Sequence, residues 1–159
     1  MPQDSITTRR SVLAGGAAAL AGLAGCLGGN QVQKSEPNQD GEGPLGELRW
    51  ILEETHGMAV TSMTFSDDVV TLEYESQATD RAESREEIGQ VISSYGLIID
   101  SGGPSERLEA SIADRFAEQA QEYHVEASWV AQWRAGEMSD ALVAQRVFNT
   151  RQFPESATE

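Results

Sequence analysis

Lysine is nearly absent from this 159-residue sequence: Lys34 is the only one, and every other base is arginine. Eleven bases face 26 acids, giving a formal net charge of −15. No basic stretch is available to meet phosphates, which argues against nucleic acid as a partner. Cysteine is equally scarce. Cys26 stands alone, so no disulfide can form within the chain, and no Cys–His catalytic pair can exist beyond it. Serines are plentiful, but none sits in a Gly-x-Ser-x-Gly elbow. Gly102-Gly103-Pro104 lacks the Lys-Ser/Thr of a phosphate-binding loop and reads as a turn. The longest apolar run, Val12 to Leu23, spans 12 residues, short of the roughly 20 needed to cross a membrane.

What is present begins at the N-terminus. Thr7-Thr8-Arg9-Arg10-Ser11-Val12-Leu13 precedes an Ala/Gly/Leu-rich run, and Leu23-Ala24-Gly25-Cys26 closes it. A charged pair, an apolar stretch and a small-residue cleavage site follow the order of a signal peptide. Adjacent Arg9 and Arg10 point to the twin-arginine export machinery, which reads an address and does not anchor. The small-small-Cys ending resembles a lipoprotein signal peptide. The resemblance implies cleavage before Cys26 and a two-chain lipid on its sulfur, which would hold a membrane more firmly than one acyl chain. Residues 1–25 are therefore expected to be signal, 26–44 a lipid-anchored flexible tether, 45–153 one domain and 154–159 a disordered tail.

Removing residues 1–25 takes away Arg9, Arg10 and Asp4, leaving 9 bases against 25 acids, about −16. The acids are scattered through the expected helices and strands, the pattern of a solvated folded surface and not of a charged tail. Their mutual repulsion disfavours the compact state in dilute buffer, and concentrated salt screens it. An acid-rich, lysine-poor chain with this leader resembles the lipoproteins of haloarchaea.

Periodicity predicts the elements. Leu48, Ile51 and Leu52 mark a helix over 45–55, with Gly57 as its stop. Residues 58–65 and 69–75 form a hairpin around Ser66-Asp67-Asp68, the second strand alternating Val70, Leu72 and Tyr74 with polar residues. Ser84-Arg85-Glu86-Glu87 has the form of a capping box ahead of Ile88, Val91, Ile92 and Tyr95. Strands through Leu108, Ala110 and Ile112 and through Tyr123, Val125 and Ala127 form a second hairpin. Helices follow around Trp129 and Trp133 and around Leu142, Val143 and Val147. The expected fold is α+β in two layers, a four-stranded antiparallel sheet made of two hairpins with helices on one face. The segments Gly57-Met58-Ala59-Val60, Leu72-Glu73-Tyr74-Glu75-Ser76 and His124-Val125-Glu126-Ala127-Ser128-Trp129 resemble a haloarchaeal lipoprotein domain of unknown function, a likeness that implies a fold and imports no activity.

His124 is the sharpest chemical candidate. Glu122 and Glu126 flank it at i±2 on one strand face, and Glu109 is expected across the hairpin; a histidine with carboxylates can take a divalent metal, although a solvated acidic face explains the pattern too. His56 reads as a helix C-terminal cap. Trp129 and Trp133, one turn apart, either line a ligand pocket or fill core. Gly89, Ser93 and Gly96 form a small-residue stripe, expected to admit close helix–sheet packing. No cofactor is implied. The expected role is a non-catalytic binding or interaction module, meeting an envelope protein or small ligand at the outer face of the cell membrane. The alternative is a small extracellular metal-assisted enzyme built on His124 and its glutamates.

Overall fold

A computed structural model describes residues 30–37, 44–103 and 106–155. Arg9, Arg10 and Cys26 lie outside the described residues. Strands β2 (Ala59–Ser66) and β3 (Val69–Glu75) are joined through Asp67 and Asp68, whose φ angles are +53° and +62°. Two positive φ values make the type I′ turn whose twist suits a two-residue hairpin, and aspartate tolerates that region better than most residues. Val60 pairs with Tyr74 and Ser62 with Glu73, leaving Thr61 as an inserted residue. Its hydroxyl donates to the Glu73 carbonyl at 3.2 Å. This bulge shifts the alternation by one, so Val60 and Met63 both meet core-facing partners.

Helix α2 (Arg81–Asp100) starts one turn before the predicted capping box. Asp80 is the N-cap, accepting from the Ala82 and Glu83 amides at 2.8 and 2.9 Å, while Glu83 reaches back to the Thr79 N–H and hydroxyl. Ser84 and Glu87 are thus free for tertiary work. Glu87 accepts from the Ser76 hydroxyl and from the Gln77 and Ala78 amides, tying the end of β3 to the helix. At the far end Gly102, with φ +85°, lets the Gly103 N–H reach the Ile98 carbonyl at 2.9 Å.

The 20 residues of α2 cover about 30 Å, enough to carry the chain back along the seven-residue β3. Strand β4 (Arg107–Ala113) therefore runs parallel to β3, Val69 opposite Arg107 and Glu75 opposite Ala113. The expected α+β class and both hairpins are present, the second being β4 with β5 (Glu122–Glu126), but the four-stranded antiparallel sheet is not. Among the described residues the sheet is mixed and has five strands, in the order β1 (Asn30–Gln31), β2, β3, β4, β5. A parallel pair needs a crossover of a dozen or more residues, and α2 supplies it.

The fifth strand, β1 (Asn30–Gln31), comes from the stretch read as tether. Asn30 pairs with Phe65 and Gln31 with Thr64; the next residue, Val32, is buried and donates to the Met63 carbonyl at 2.8 Å. Lys34 then bridges to Glu53 and Glu54. Part of 26–44 is therefore docked on the domain, because Val32 is an apolar residue with somewhere to go. The first predicted helix is also two segments: α1 (Pro44–Trp50) widens into a π-helical turn, Ile51–Thr55, before Gly57 at φ +67°.

The core lies between the sheet and the helices. Val70, Leu72, Tyr74, Leu108, Ile112, Tyr123 and Val125 meet Ile88, Val91, Ile92, Tyr95 and Ile98 of α2. Within it the Tyr74 and Tyr123 hydroxyls lie 3.3 Å apart, and burial pushes the pKa of both upward, as it does for Tyr95. Helix α3 (Ala127–Arg134) packs on α2 at Gly96, where an added Cβ would meet Val130, Trp133 and Arg134 at 3.1–3.3 Å. The small residue thus serves a helix–helix contact, not the expected helix–sheet one; Ser93 of the same stripe is exposed. After α4 (Asp140–Phe148) the chain closes the outer edge of β5: the His124 N–H donates to Thr150 Oγ1 at 2.9 Å and Gln152 bridges to Glu122. Among the described residues no helix is long and apolar enough to cross a membrane.

Candidate functional site

The register places Glu109 directly opposite His124, as the sequence leads one to expect, with Glu122 opposite Ser111 and Glu126 opposite Arg107. The four side chains do not close into one donor set. Glu109 is taken by Arg107, whose Nε donates to it at 2.7 Å. His124 Nε2 lies 3.4 Å from Glu126 Oε1, and its ring stacks on Trp129 at 5.8 Å between centroids. Among the described residues no group of three or more His, Asp or Glu side chains is gathered to hold a metal ion. A shallow cavity of about 260 Å³ does border Glu109, Glu122 and His124, lined mainly by polar side chains of the open sheet face.

The two tryptophans diverge. Trp129 sits between His124 and Arg146, whose guanidinium carbon is 6.0 Å from its ring. Trp133 donates its Nε1–H to Asp140 at 2.6 Å and packs over Gly96. Both are partly buried against the core. His56 ends the π-helical turn, its N–H donating to the Ile51 carbonyl.

Another cavity lies between the first turns of α2, the loop linking β4 to β5, and the segment after α4. It measures about 450 Å³, within the range of small-molecule sites. Arg81 and Arg85 approach it from one face of α2, being four residues apart; Phe116 and Ala120 come from the loop; Arg151 and Phe153 come from the terminal segment. Loop and helix are fixed by Gln119, which is buried. Its Nε2 donates to Ser76 and Ser84 at 2.8 and 3.2 Å, and its Oε1 accepts from the Phe116 amide at 3.3 Å.

Arg151 is held in place from two sides. Its Nε donates to the Phe148 carbonyl at 2.9 Å, and its guanidinium carbon lies 5.0 Å from the Phe148 ring and 5.5 Å from that of Phe153. Burial, then the positive charges of Arg85 and Arg81, lower its pKa from the usual arginine value. Arg81 pairs with Glu118 at 2.7 Å, an exposed bridge that contributes little to stability. The Arg85 side chain is exposed and makes no hydrogen bond or ion pair among the described residues.

A protein-family model described as a domain of unknown function, DUF8159, matches residues 39–157. The chain belongs to the DUF8159 family. The matched stretch holds the whole arginine-lined cavity and leaves β1 outside it. No curated protein and no solved structure matches the chain. The functional reading of this DUF8159 domain therefore rests on its own geometry. Sequence reasoning passed over the cavity because its residues come from three separated segments. The i,i+4 pair Arg81/Arg85 and the Arg151-x-Phe153 spacing were the signals available.

Proposed function

We propose that the chain is a lipid-anchored envelope protein whose DUF8159 domain is a non-catalytic binding module for a small ligand. In this reading Arg9 and Arg10 direct export, cleavage precedes Cys26, and lipid on Cys26 holds the domain at the outer face of the membrane. The leader from Thr7 to Cys26 supports the address. The acidic, lysine-poor composition supports a haloarchaeal, salt-rich setting.

The observation that carries the binding role is the cavity of about 450 Å³, which combines apolar walls with a few convergent polar groups. Phe116, Phe153 and Pro154 supply the apolar surface, and three arginines supply directional donors. Native mass spectrometry of the protein extracted from its own membranes tests this. A stoichiometric small-molecule adduct that is lost in Phe116→Ala is expected. A protein that is ligand-free however gently it is extracted would argue against the module.

A further inference from the structure

The cations of this chain are not distributed as an acidic, salt-laced surface would distribute them. Lys34, Arg49, Arg81, Arg107 and Arg134 each pair with a carboxylate. Among the described residues, the bases that make no ion pair are Arg85, Arg115, Arg146 and Arg151. Two of these four line one cavity, and a third is bonded to its wall. Arg85 and Arg151 line the large cavity, and Arg115 adjoins it, donating to the Gln119 carbonyl at 3.3 Å. The cavity lining holds three arginines against two carboxylates, Glu118, which Arg81 engages, and Glu155, so an excess of positive charge faces one concavity of a chain with 26 acids.

We propose that the cavity between α2, the β4–β5 loop and the terminal segment binds an organic anion, a carboxylate or phosphoryl head carried on an apolar body. This rests on the binding-module reading and names the ligand class that reading leaves open. Arg151 has its Nε engaged with Phe148 and its plane against two phenyl rings, so its terminal nitrogens remain for a bidentate contact to an oxyanion. Arg85 adds a second donor fork from the helix. Phe116, Ala120, Phe153 and Pro154 cover the apolar body of the ligand. The Arg81–Glu118 bridge borders the cavity as an exposed pair that an incoming anion can displace at small cost.

The test is calorimetric titration of the 159-residue chain at the lowest salt that keeps its native circular dichroism. Phenyl phosphate and benzoate are the anionic probes and benzamide the neutral one. Both anions, or one of them, should bind while benzamide binds at least tenfold more weakly, roughly the weight of one charge-assisted hydrogen bond. Preference for phenyl phosphate over benzoate assigns a phosphoryl head, and the reverse a carboxylate. Arg85→Ala, whose side chain has no partner to lose, should weaken the anion about tenfold. Arg134→Ala, on α3 away from the cavity, should leave binding unchanged. Equal binding of benzamide would overturn the anion assignment and leave the binding module standing. No binding of either anion at millimolar concentration, or binding unaffected by both Arg85→Ala and Arg151→Gln, would overturn it as well.

Discussion

The side-chain amide of Gln119 lies 3.2 Å from the Ser84 hydroxyl, fastening the β4–β5 loop to the first turn of α2. The same nitrogen donates to Ser76 at 2.8 Å, and Ser76 in turn donates to Glu87. A buried polar chain of this kind is costly when one member is lost, because its partners stay desolvated. Gln119→Leu should lower stability by about 1–3 kcal/mol, measured as a shift in urea midpoint at unchanged slope. An unshifted midpoint would show that the loop is not held by this contact.

Alkaline pH should unfold the domain through its tyrosines. Tyr74, Tyr95 and Tyr123 have pKa values raised by burial, so the folded state keeps protons that the unfolded chain gives up near pH 10. Their contribution is complete below that value and falls as pH rises above it. The slope is at most about 1.4 kcal/mol per pH unit for each tyrosine. Tyr123→Phe should make the loss shallower while costing about 1–3 kcal/mol at neutral pH, since the Tyr74 hydroxyl loses its partner. Chemical denaturation across pH 8–12 reads both effects, the pH range being set by the roughly pH 10 reference.

Salt should matter in the opposite direction from most proteins. With a net charge of −15, the folded state repels itself, and screening weakens that repulsion. Far-ultraviolet circular dichroism followed through falling potassium chloride should show loss of structure. Full structure in dilute buffer would count against a salt-adapted origin.

The proposed anchor makes a cellular prediction. Cys26→Ser should leave the precursor unprocessed or release the protein from the membrane, read by fractionation and intact mass. Unchanged processing together with unchanged membrane retention would sink the lipid assignment.

Much of the fold was legible from period alone. The β2–β3 hairpin followed from alternation at Val70, Leu72 and Tyr74, and α2 from Ile88, Val91, Ile92 and Tyr95. The parallel pairing of β3 with β4 was missed although its cause was visible, because a 20-residue crossover helix returns the chain to the end where the previous strand began. Ser84 and Glu87 fit the capping-box pattern but are engaged by Gln119 and by the β3 end, since Asp80 already caps the helix. A short-range motif cannot reveal which of two neighbouring serine- or aspartate-led turns tertiary contacts will recruit. β1 was hidden for the same reason: two residues and Val32 have no periodicity until β2 is beside them. At the candidate sites, the facing of Glu109 and His124 was readable from strand alternation. The arginine cavity was not, because Arg85, Phe116 and Arg151 are neighbours only after folding.

Where an anion protects the backbone is the most direct measure of the proposed site. Amide hydrogen exchange with and without phenyl phosphate should show added protection confined to residues 81–85, 116–120 and 151–153, which frame the arginine cavity. Protection centred instead on Glu109 and His124, or none at any segment, would contradict the cavity as the binding site.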